Sequence, residues 1–360
     1  MPAPGLALAL ALAASCAPAA TAPARQTADL GLQPASRGLL SYAVAFAQRG
    51  EHTLLLSVEL DTAFHLAIRE LVAAPGGGAR LVDRARVPLG PHEWDVSDLA
   101  VDRAGSTAYV ASADGTVRAI DLAAARAGGT WRLGEAATAA AVSPDGALIA
   151  AGGASGILCL RRAGAGLRGP LLQCFAAHGA AIASLAFSPD GARLATASHD
   201  GRVRVLAVPS LAVLAELDAG GSANAVAFSP DGARLAIAVS GAAPALAPSR
   251  GPDTADPRAR VLLWWPLRAG PAPRALAGHR GPVTAVAWLA PDRLLSAGWD
   301  RTVRLWDAGA GREIARAGGF SHIVRDVAVA PGGLWAAAAA WTPPGGDGPA
   351  TALLGLAAAP

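Results

Sequence analysis

Short runs of alternating apolar and polar residues, each closed by a turn, fill most of the chain. The clearest stretch covers residues 283–318, where VTAVAWL and LLSAG are followed by VRLWD and REIARAG. Alternation over such short runs is typical of half-buried β-strands, and the intervening segments APDR, WDRT and AGAG carry turn residues. The pattern therefore predicts four short antiparallel strands in this stretch.

A turn of the form Ser-Pro-Asp-Gly recurs along the chain. The residues that close its copies, the first and the sixth being the most degenerate, are Gly50, Gly105, Gly146, Gly191, Gly232, Arg293 and Gly333. Proline fixes φ, aspartate bonds the following backbone and glycine accepts positive φ, so each copy is expected to join the first two strands of a unit. Four strands repeated about every 40–45 residues predict a β-propeller.

Seven units can be placed on the chain. They cover residues 41–88, 96–133, 137–175, 182–217, 223–276, 283–317 and 324–358. The predicted fold class is therefore all-β, a seven-bladed propeller. The first unit has the weakest pattern, and the last shows only three strands.

One unit carries a recognisable family pattern. The segment AGHRGPVTAVAWLAPDRLLSAGWDRTVRLWDAGAGREI (277–314) resembles a WD40 repeat, with its Gly278-His279 pair, its turn residue Asp300 and its closing Trp306-Asp307. The resemblance extends from about residue 40 to the C-terminus and weakens in the other units. It implies that an N-terminal segment, around Ala28–Gln33, supplies the missing strand of the last blade and closes the ring.

The resemblance also implies a hydrogen-bonded structural tetrad of His279, Ser296, Asp300 and Trp306. Partial tetrads are expected from His178, Thr196 and Asp200, and from His92 and Asp114. A catalytic triad is the alternative use of these residue types, but a triad needs an exposed nucleophile beside an oxyanion site. Here the spacing recurs from blade to blade and Trp306 would cap the group, so we assign no catalytic residue.

Partner contacts are expected on one face of the ring. In WD40 blades the turn between strands two and three shares a face with the blade-to-blade connections, and the residue before the turn aspartate faces solvent. That residue is His199 in one unit and Trp299 in another. Packing of Trp299 against the next blade is the alternative. The loops 240–260 and 341–350 should emerge on the same face, as a binding rim or as tolerated insertions.

The N-terminus has its own composition. An apolar stretch from Leu6 to Ala14 precedes Cys16, in the manner of a secretory signal, and LAASC resembles a bacterial lipobox. We expect a signal over 1–16, lipidation of Cys16, a tether over 17–38, part of which closes the last blade, and a propeller over 39–360. The localisation expected is the bacterial cell envelope, with a cytoplasmic protein as the alternative.

The remaining candidate chemistry is sparse. Cys159 and Cys174 fall on neighbouring strands, where they can pair in an oxidising compartment or serve as two small buried residues, the interpretation we favour. The carboxylates Glu59, Asp61 and Glu70 lack a partner pattern and are expected on the solvated surface. No motif indicates a metal or a cofactor.

Charge argues against nucleic acid as a partner. The net charge is +3 and the basic residues, all arginine, are scattered and nearly balanced by acidic ones.

The leading hypothesis is a non-enzymatic scaffold that binds proteins. A second is a propeller enzyme with a metal in the channel, for which only Asp98 and Asp326 are suitably placed; a third is a cytoplasmic scaffold without a signal.

Overall fold

The structure is a computed structural model that describes residues 28–29, 31–37, 40–61, 63–74, 78–90, 96–164, 167–241, 255–267, 272–341 and 349–356. These residues form strands and connections, with no α-helix among them. The described part of the chain accordingly offers no helix long and apolar enough to cross a membrane.

The strands form seven sheets, one for each blade. Blade 1 consists of β3 (Leu40–Arg49), β4 (His52–Leu60), β5 (Phe64–Ala73) and β6 (Ala79–Gly90), and blade 2 of β7 (Val96–Val101), β8 (Thr107–Ser112), β9 (Thr116–Asp121) and β10 (Arg126–Arg132). Blade 3 consists of β11 (Ala137–Val142), β12 (Leu148–Gly153), β13 (Ile157–Arg162) and β14 (Leu171–Ala176), and blade 4 of β15 (Ile182–Phe187), β16 (Arg193–Ser198), β17 (Arg202–Ala207) and β18 (Val213–Asp218). Blade 5 consists of β19 (Ser222–Phe228), β20 (Leu235–Ser240), β21 (Arg260–Trp264) and β22 (Arg274–Leu276), and blade 6 of β23 (Val283–Ala290), β24 (Arg293–Gly298), β25 (Val303–Asp307) and β26 (Arg312–Ala317). Blade 7 contains β27 (Val324–Val329), β28 (Trp335–Ala340) and β29 (Pro349–Gly355). The predicted all-β, seven-bladed propeller is confirmed.

The ring closes between blade 7 and blade 1. The first strand of each blade contacts the first strand of the next, and β27 of blade 7 contacts β3 of blade 1. The N-terminal strand β2 (Gly31–Arg37) pairs antiparallel with β29 and supplies the fourth strand of blade 7. Just before it, β1 (Ala28–Asp29) pairs in parallel with β26 at the outer edge of blade 6.

Apolar side chains between neighbouring sheets hold the blades together. Among the described residues, one apolar cluster fills each of the seven spaces between adjacent blades. Second strands are the most deeply buried, and Ala336–Ala340 of β28 are fully inaccessible. Outer strands such as β14 and β18 are largely exposed. The chain's many alanines suit the narrow spaces between adjacent blades, because closely packed sheets leave room only for small side chains.

The recurring Ser-Pro-Asp-Gly turn forms the same hydrogen bonds wherever it is complete. In blade 3 the Ser143 hydroxyl donates to Asp145 over 2.5 Å and accepts from the Leu148 amide over 2.9 Å. Gly146 adopts a φ of +71°, which glycine reaches without steric cost. Blades 4 and 5 repeat these contacts, so the repeated sequence builds a turn.

Cys159 and Cys174 are joined by a disulfide. They lie directly opposite each other on β13 and β14. Our preferred interpretation of two unpaired buried cysteines was therefore wrong. Whether the two cysteines can pair depends on strand register, which the sequence alone does not give.

A β-bulge follows the start of the first strand in every blade. The residues that the register skips are Tyr42, Ser97, Thr138, Ala183, Asn224, Thr284 and Arg325. A bulge turns an extra side chain away from the regular alternation, and all seven of these residues line the central channel.

Candidate functional site

We call the end of the ring formed by the blade-to-blade connections and the turns between second and third strands the upper face. The Ser-Pro-Asp-Gly turns lie at the opposite end, the lower face, because adjacent strands are antiparallel. His279, Asp300, His199 and Trp299 belong to upper-face connections, and Ser296 lies on the strand beneath them. Trp306 lies near the lower-face end of β25, opposite Leu294.

The structure brings the four tetrad residues of blade 6 together. The Trp306 indole N–H donates to Ser296 Oγ over 2.7 Å. Ser296 Oγ lies 2.6 Å from His279 Nε2, and His279 Nδ1 lies 3.0 Å from Asp300. Indole can only donate, so the serine hydroxyl accepts from Trp306 and donates to His279, whose other nitrogen donates to Asp300. Each buried polar group is thereby satisfied, and Trp306 and Ser296 are inaccessible to solvent.

Further donors surround Asp300. The Arg280 amide, the Thr302 hydroxyl and the Arg304 guanidinium donate to its carboxylate over 3.1, 2.8 and 3.1 Å. Burial opposes ionisation, but hydrogen bonds from His279 and Thr302 outweigh it and hold the pKa of Asp300 well below its usual range. Arg304 also donates to Glu313 over 2.7 Å.

Arg304 and Thr302 were missed in the sequence, although a signal for them exists. An arginine follows the turn aspartate by four residues in three blades, as Asp114–Arg118, Asp200–Arg204 and Asp300–Arg304. Arg118 pairs directly with Asp114, whereas Arg204 pairs with Glu216. Gly278 is required by the same packing, because a Cβ there would lie 2.9 Å from Arg304 Nη1 and from the Trp306 ring.

The partial tetrads form smaller versions of the network. His178 lies 2.7 Å from Thr196 Oγ1 and 3.0 Å from Asp200, and Leu206 stands on the third strand at the tryptophan position. In blade 2, Asp114 accepts from the Thr116 amide over 2.9 Å. His92 lies outside the described residues.

Blade 1 builds its network from charged residues. By strand register Ser57 takes the place of Ser296, and Arg69 takes the place of Trp306. Arg69 donates to Ser57 Oγ over 2.7 Å, the same distance as the Trp306 bond. Arg69 also donates to both carboxylate oxygens of Glu59, over 2.6 and 3.0 Å.

This cluster corrects our expectation that Glu59 and Glu70 are solvated. Glu59 is fully buried, and Glu70 is buried beside His52 and Arg84; Asp61, near Arg86 and His65, is about one-third exposed. Burial opposes ionisation of Glu59, but His65 and Arg69 outweigh it and hold the pKa of Glu59 well below its usual range. The alternating sequence pattern could not show that these carboxylates are buried. Their partners, such as Arg69, lie on neighbouring strands, and the sequence does not show that the charges meet.

The central channel contains a cavity of about 340 Å³ that opens on the upper face. Its lining is mostly alanine and small polar residues from the bulges. Bulge residues of blades 3, 5 and 6 donate to a carbonyl of the following blade: Thr138 to Ile182, Asn224 to Val283 and Thr284 to Val324, each over 2.7 Å. The residues after the bulges of blades 2, 4 and 7 accept from an amide of the following blade: Asp98 from Ala140, Ser184 from Val226 and Asp326 from Val44, over 2.9, 3.2 and 2.9 Å.

Asp98 and Asp326 are thus parts of blade seams. Each carboxylate also accepts from the amide of the residue that follows it, over 2.8 Å. Burial raises the pKa of Asp98 to about 6 and that of Asp326 to about 7. Within the described ranges, no group of three or more His, Cys, Asp or Glu side chains is placed to hold a metal ion.

The two predicted partner contacts lie in the channel wall. Trp299 is only 7% exposed, so the expectation of an exposed tryptophan was wrong; its Cβ packs near Gly281. His199 is half-buried, and burial lowers its pKa. Both residues line the channel mouth. Residues 242–254 and 342–348, which make up most of the two long loops, lie outside the described residues, as does Cys16.

One upper-face turn is conformationally unusual. Arg301 has a φ of +60°. The equivalent positions of blades 2, 3 and 4 are Gly115, Gly156 and Gly201, which close their turns with the same backbone hydrogen bond. A side chain in this conformation costs about 1–2 kcal/mol, so blade 6 carries an arginine where the fold favours glycine.

The tetrad gives a stability prediction. Asp300→Ala should lower the free energy of unfolding by about 2–3 kcal/mol, because it leaves buried donors on His279 and Arg304 without their acceptor. Asp200→Ala is the matched comparison and should cost about 1–2 kcal/mol, since the side chain of Asp200 is more exposed, 16% against 7%. Urea unfolding monitored by circular dichroism measures both, and an unchanged midpoint for Asp300→Ala would refute the structural role.

Comparison with known proteins agrees with this geometry. A family model described as "WD domain, G-beta repeat" matches residues 169–205 and 271–307. The two matches contain the upper-face turns of blades 4 and 6, including Asp200 and Asp300.

Two curated proteins show local similarity. The chain is 48% identical over 42 residues to "Ribosome biogenesis protein YTM1" of Scheffersomyces stipitis, which covers 12% of this chain and 9% of that protein. It is 40% identical over 47 residues to "Periodic tryptophan protein 2 homolog" of Schizosaccharomyces pombe. This match covers 13% of this chain and 6% of that protein. Each match thus spans less than a tenth of the relative. The chain is therefore a seven-bladed β-propeller in which two segments match the WD40-repeat family model.

Proposed function

We propose that this propeller is a non-enzymatic scaffold that binds partner proteins at the mouth of its central channel. The observation that carries the proposal is the bulge at the start of every first strand, which aims seven side chains into one cavity open on the upper face. A bulge breaks regular strand pairing and is often used to re-aim a side chain. Repetition of the bulge in all seven blades produces a shaped recess on a rigid frame.

The chemistry of the recess favours binding over catalysis. The polar groups on its wall make hydrogen bonds to neighbouring blades, as Asp98, Thr284 and Asp326 do. These groups hold the frame and leave an apolar and weakly polar surface around Trp299. Such a lining, with few polar groups in fixed positions, is typical of recognition sites.

The curated relatives bear on this proposal only in general terms. One is named as a ribosome biogenesis protein. The similarity covers about an eighth of this chain, so it supports a shared repeat and does not identify a shared partner.

Blocking the recess tests the proposal. Ala183→Trp places a large side chain in the cavity from the bulge of blade 4, and Ala192→Trp makes the same change on the exposed lower-face turn of that blade. Tagged protein is used to capture partners, which mass spectrometry identifies. We expect partners retained by wild type and Ala192→Trp to be lost with Ala183→Trp. Equal capture by both variants would refute the channel mouth as the binding site.

The proposal extends to location. We propose export to a bacterial envelope with a lipid on Cys16, supported by the apolar stretch from Leu6 to Ala14. The disulfide between Cys159 and Cys174 also supports export, because disulfides persist in oxidising compartments.

Cell fractionation with palmitate labelling tests the location. Wild type should label and sediment with membranes, whereas Cys16→Ser should lose the label. A chain recovered unlabelled from the cytoplasm would overturn this part of the proposal and leave the binding proposal standing.

A further inference from the structure

The outer edge of one blade already carries an added strand. In blade 6, Ala28 and Asp29 of β1 pair in parallel with β26, and Ala28 lies opposite Ala315. This contact begins just beyond the bulge at which the register of β26 skips Ile314. Bulges often protect a sheet edge from pairing, so blade 6 shows that an outer edge of this fold accepts an extended segment all the same.

β14 is the corresponding strand of blade 3, and its outer edge pairs with no strand in the described part of the chain. The register of β14 skips Leu172 just as that of β26 skips Ile314. Gln173 and Cys174 therefore take the positions at which β26 receives β1. The backbone of blade 3 thus offers the same place for an added strand.

The composition of β14 separates it from the other outer strands. Its residues LLQCFA include no charge and no proline, the features with which proteins commonly block a sheet edge. Each other strand at the outer edge of a described sheet contains at least one charged residue, namely Asp29 of β1, Arg37 of β2, Asp83 of β6, Arg126 of β10, Glu216 of β18 and Arg274 of β22. Among the described outer edges, β14 alone lacks this protection.

Two leucines at the start of β14 are open to solvent. Leu171 and Leu172 are 52% and 40% exposed. β18 of blade 4 begins with a similar pair, Val213 and Leu214, which are 55% and 46% exposed, but the charged Glu216 lies further along that strand. Two neighbouring blades thus share the exposed apolar pair, and only β14 combines it with an uncharged edge.

The edge of blade 3 is held in place by a covalent bond. Cys174 of β14 is joined to Cys159 of β13 by the disulfide, which ties the outermost strand to its blade. A strand that is already ordered loses little conformational entropy when another strand pairs with it. β14 therefore presents a preformed edge.

We propose that β14 pairs with β14 of a second copy of the chain and joins two propellers edge to edge. A two-fold axis perpendicular to the strands makes this pair antiparallel and self-complementary. Centred on the positions equivalent to the β1 site, the register sets Gln173 of one copy opposite Cys174 of the other, and Leu172 opposite Phe175. All these side chains are uncharged, and the apolar pair adds cross-strand packing.

The other outer edges match a second copy less well. In the same centred arrangement, β10 would place Arg126 opposite Arg132, and β18 would place Val213 opposite Asp218. Like charges in opposite positions destabilise a strand pair, and a carboxylate loses solvation against an apolar residue. A second β14 matches this edge in length and chemistry without opposing a charge to it. The surface lies on the rim of the ring, so the inference goes beyond the proposed function.

The test measures association of the full chain by sedimentation velocity at increasing protein concentration. Every sample carries Cys16→Ser, so that a lipid cannot cause association. One strand pair is a small interface, for which we expect a dissociation constant between about 1 µM and 1 mM. The chain should therefore pass from monomer to dimer as its concentration rises through that range.

Two matched variants connect association to β14. Leu172→Glu places a carboxylate opposite Phe175 of the other copy, so the dissociation constant should rise about tenfold or more. Leu214→Glu makes the same change at the equivalent skipped position of β18, where the leucine is exposed to a similar extent, and should change the dissociation constant by less than about twofold. Both positions are exposed, so each melting temperature should stay within about 2 °C of the parent chain.

Hydrogen exchange locates the contact without any change to β14. Backbone amides of residues 171–176 should exchange more slowly when the chain is dimeric, whereas those of β18 should exchange alike at low and high protein concentration. This measurement decides the question if Leu172→Glu lowers the melting temperature. Slower exchange that requires added phosphatidylethanolamine vesicles, without a dimer, would assign the edge to a lipid surface and overturn the inference.

Several other results would overturn dimerisation through β14. These are a chain that stays monomeric up to about 1 mM, a dimer that Leu172→Glu leaves intact, and a dimer that Leu214→Glu weakens as much as Leu172→Glu does. Slower exchange in another outer strand in place of β14 would overturn it too. None of these results affects capture of partners at the channel mouth, so the proposed function is tested separately.

Discussion

The shape of this molecule depends on the contact between its last blade and its first. Each sheet packs against two neighbours, so a ring with one open seam would expose two apolar faces and an unpaired strand edge. At this seam the apolar cluster is small among the described residues, with Val44 and Leu55 against Ala337 and Ala339. Polar contacts supplement it: Asp326 binds the Val44 amide, and Thr351 of blade 7 lies 3.3 Å from the Glu59 carboxylate of blade 1.

The charged network of blade 1 belongs to this seam. Glu59 and Arg69 are buried and bind each other through two hydrogen bonds. A buried ion pair contributes little net stability compared with apolar packing, but loss of one partner is costly. Loss of either partner would therefore leave a buried charge unpaired at this seam.

The regular features of the fold could be read from the sequence, and the departures from regularity could not. The Ser-Pro-Asp-Gly turn fixes its own conformation through residues that are adjacent in the chain, and its repetition predicted the blades. The tetrad of blade 6 was predicted because His279 and Asp300 stand at characteristic family positions. Arg69 was not found, since an arginine in an alternating strand has the same pattern whether it faces solvent or a buried carboxylate.

Long-range register accounts for the remaining errors. The pairing of Cys159 with Cys174 depends on which residues of two strands lie opposite each other. The burial of Trp299 depends on the channel wall, which residues from every blade form. The bulges are detectable only when the first strands are aligned, because each is a single skipped residue.

The framework and the proposed binding surface are built from the same residues. Side chains such as Thr284 and Asp326 hold one blade to the next and at the same time line the channel mouth. The proposed recognition at the upper face therefore requires an intact ring, since an open seam would move the walls of the cavity apart. Rigid frames of this kind lose little conformational entropy when a partner binds.

The measurement that tests ring closure most directly compares two truncations by urea unfolding, monitored by tryptophan fluorescence and by circular dichroism. One variant lacks residues 1–27 and keeps β1 and β2, and the other lacks residues 1–37. The shorter deletion should unfold in one transition at the midpoint of the full chain. The longer deletion should unfold at a lower urea concentration, with the two signals no longer coinciding. Identical, coincident transitions for both variants would contradict closure of the ring by β2.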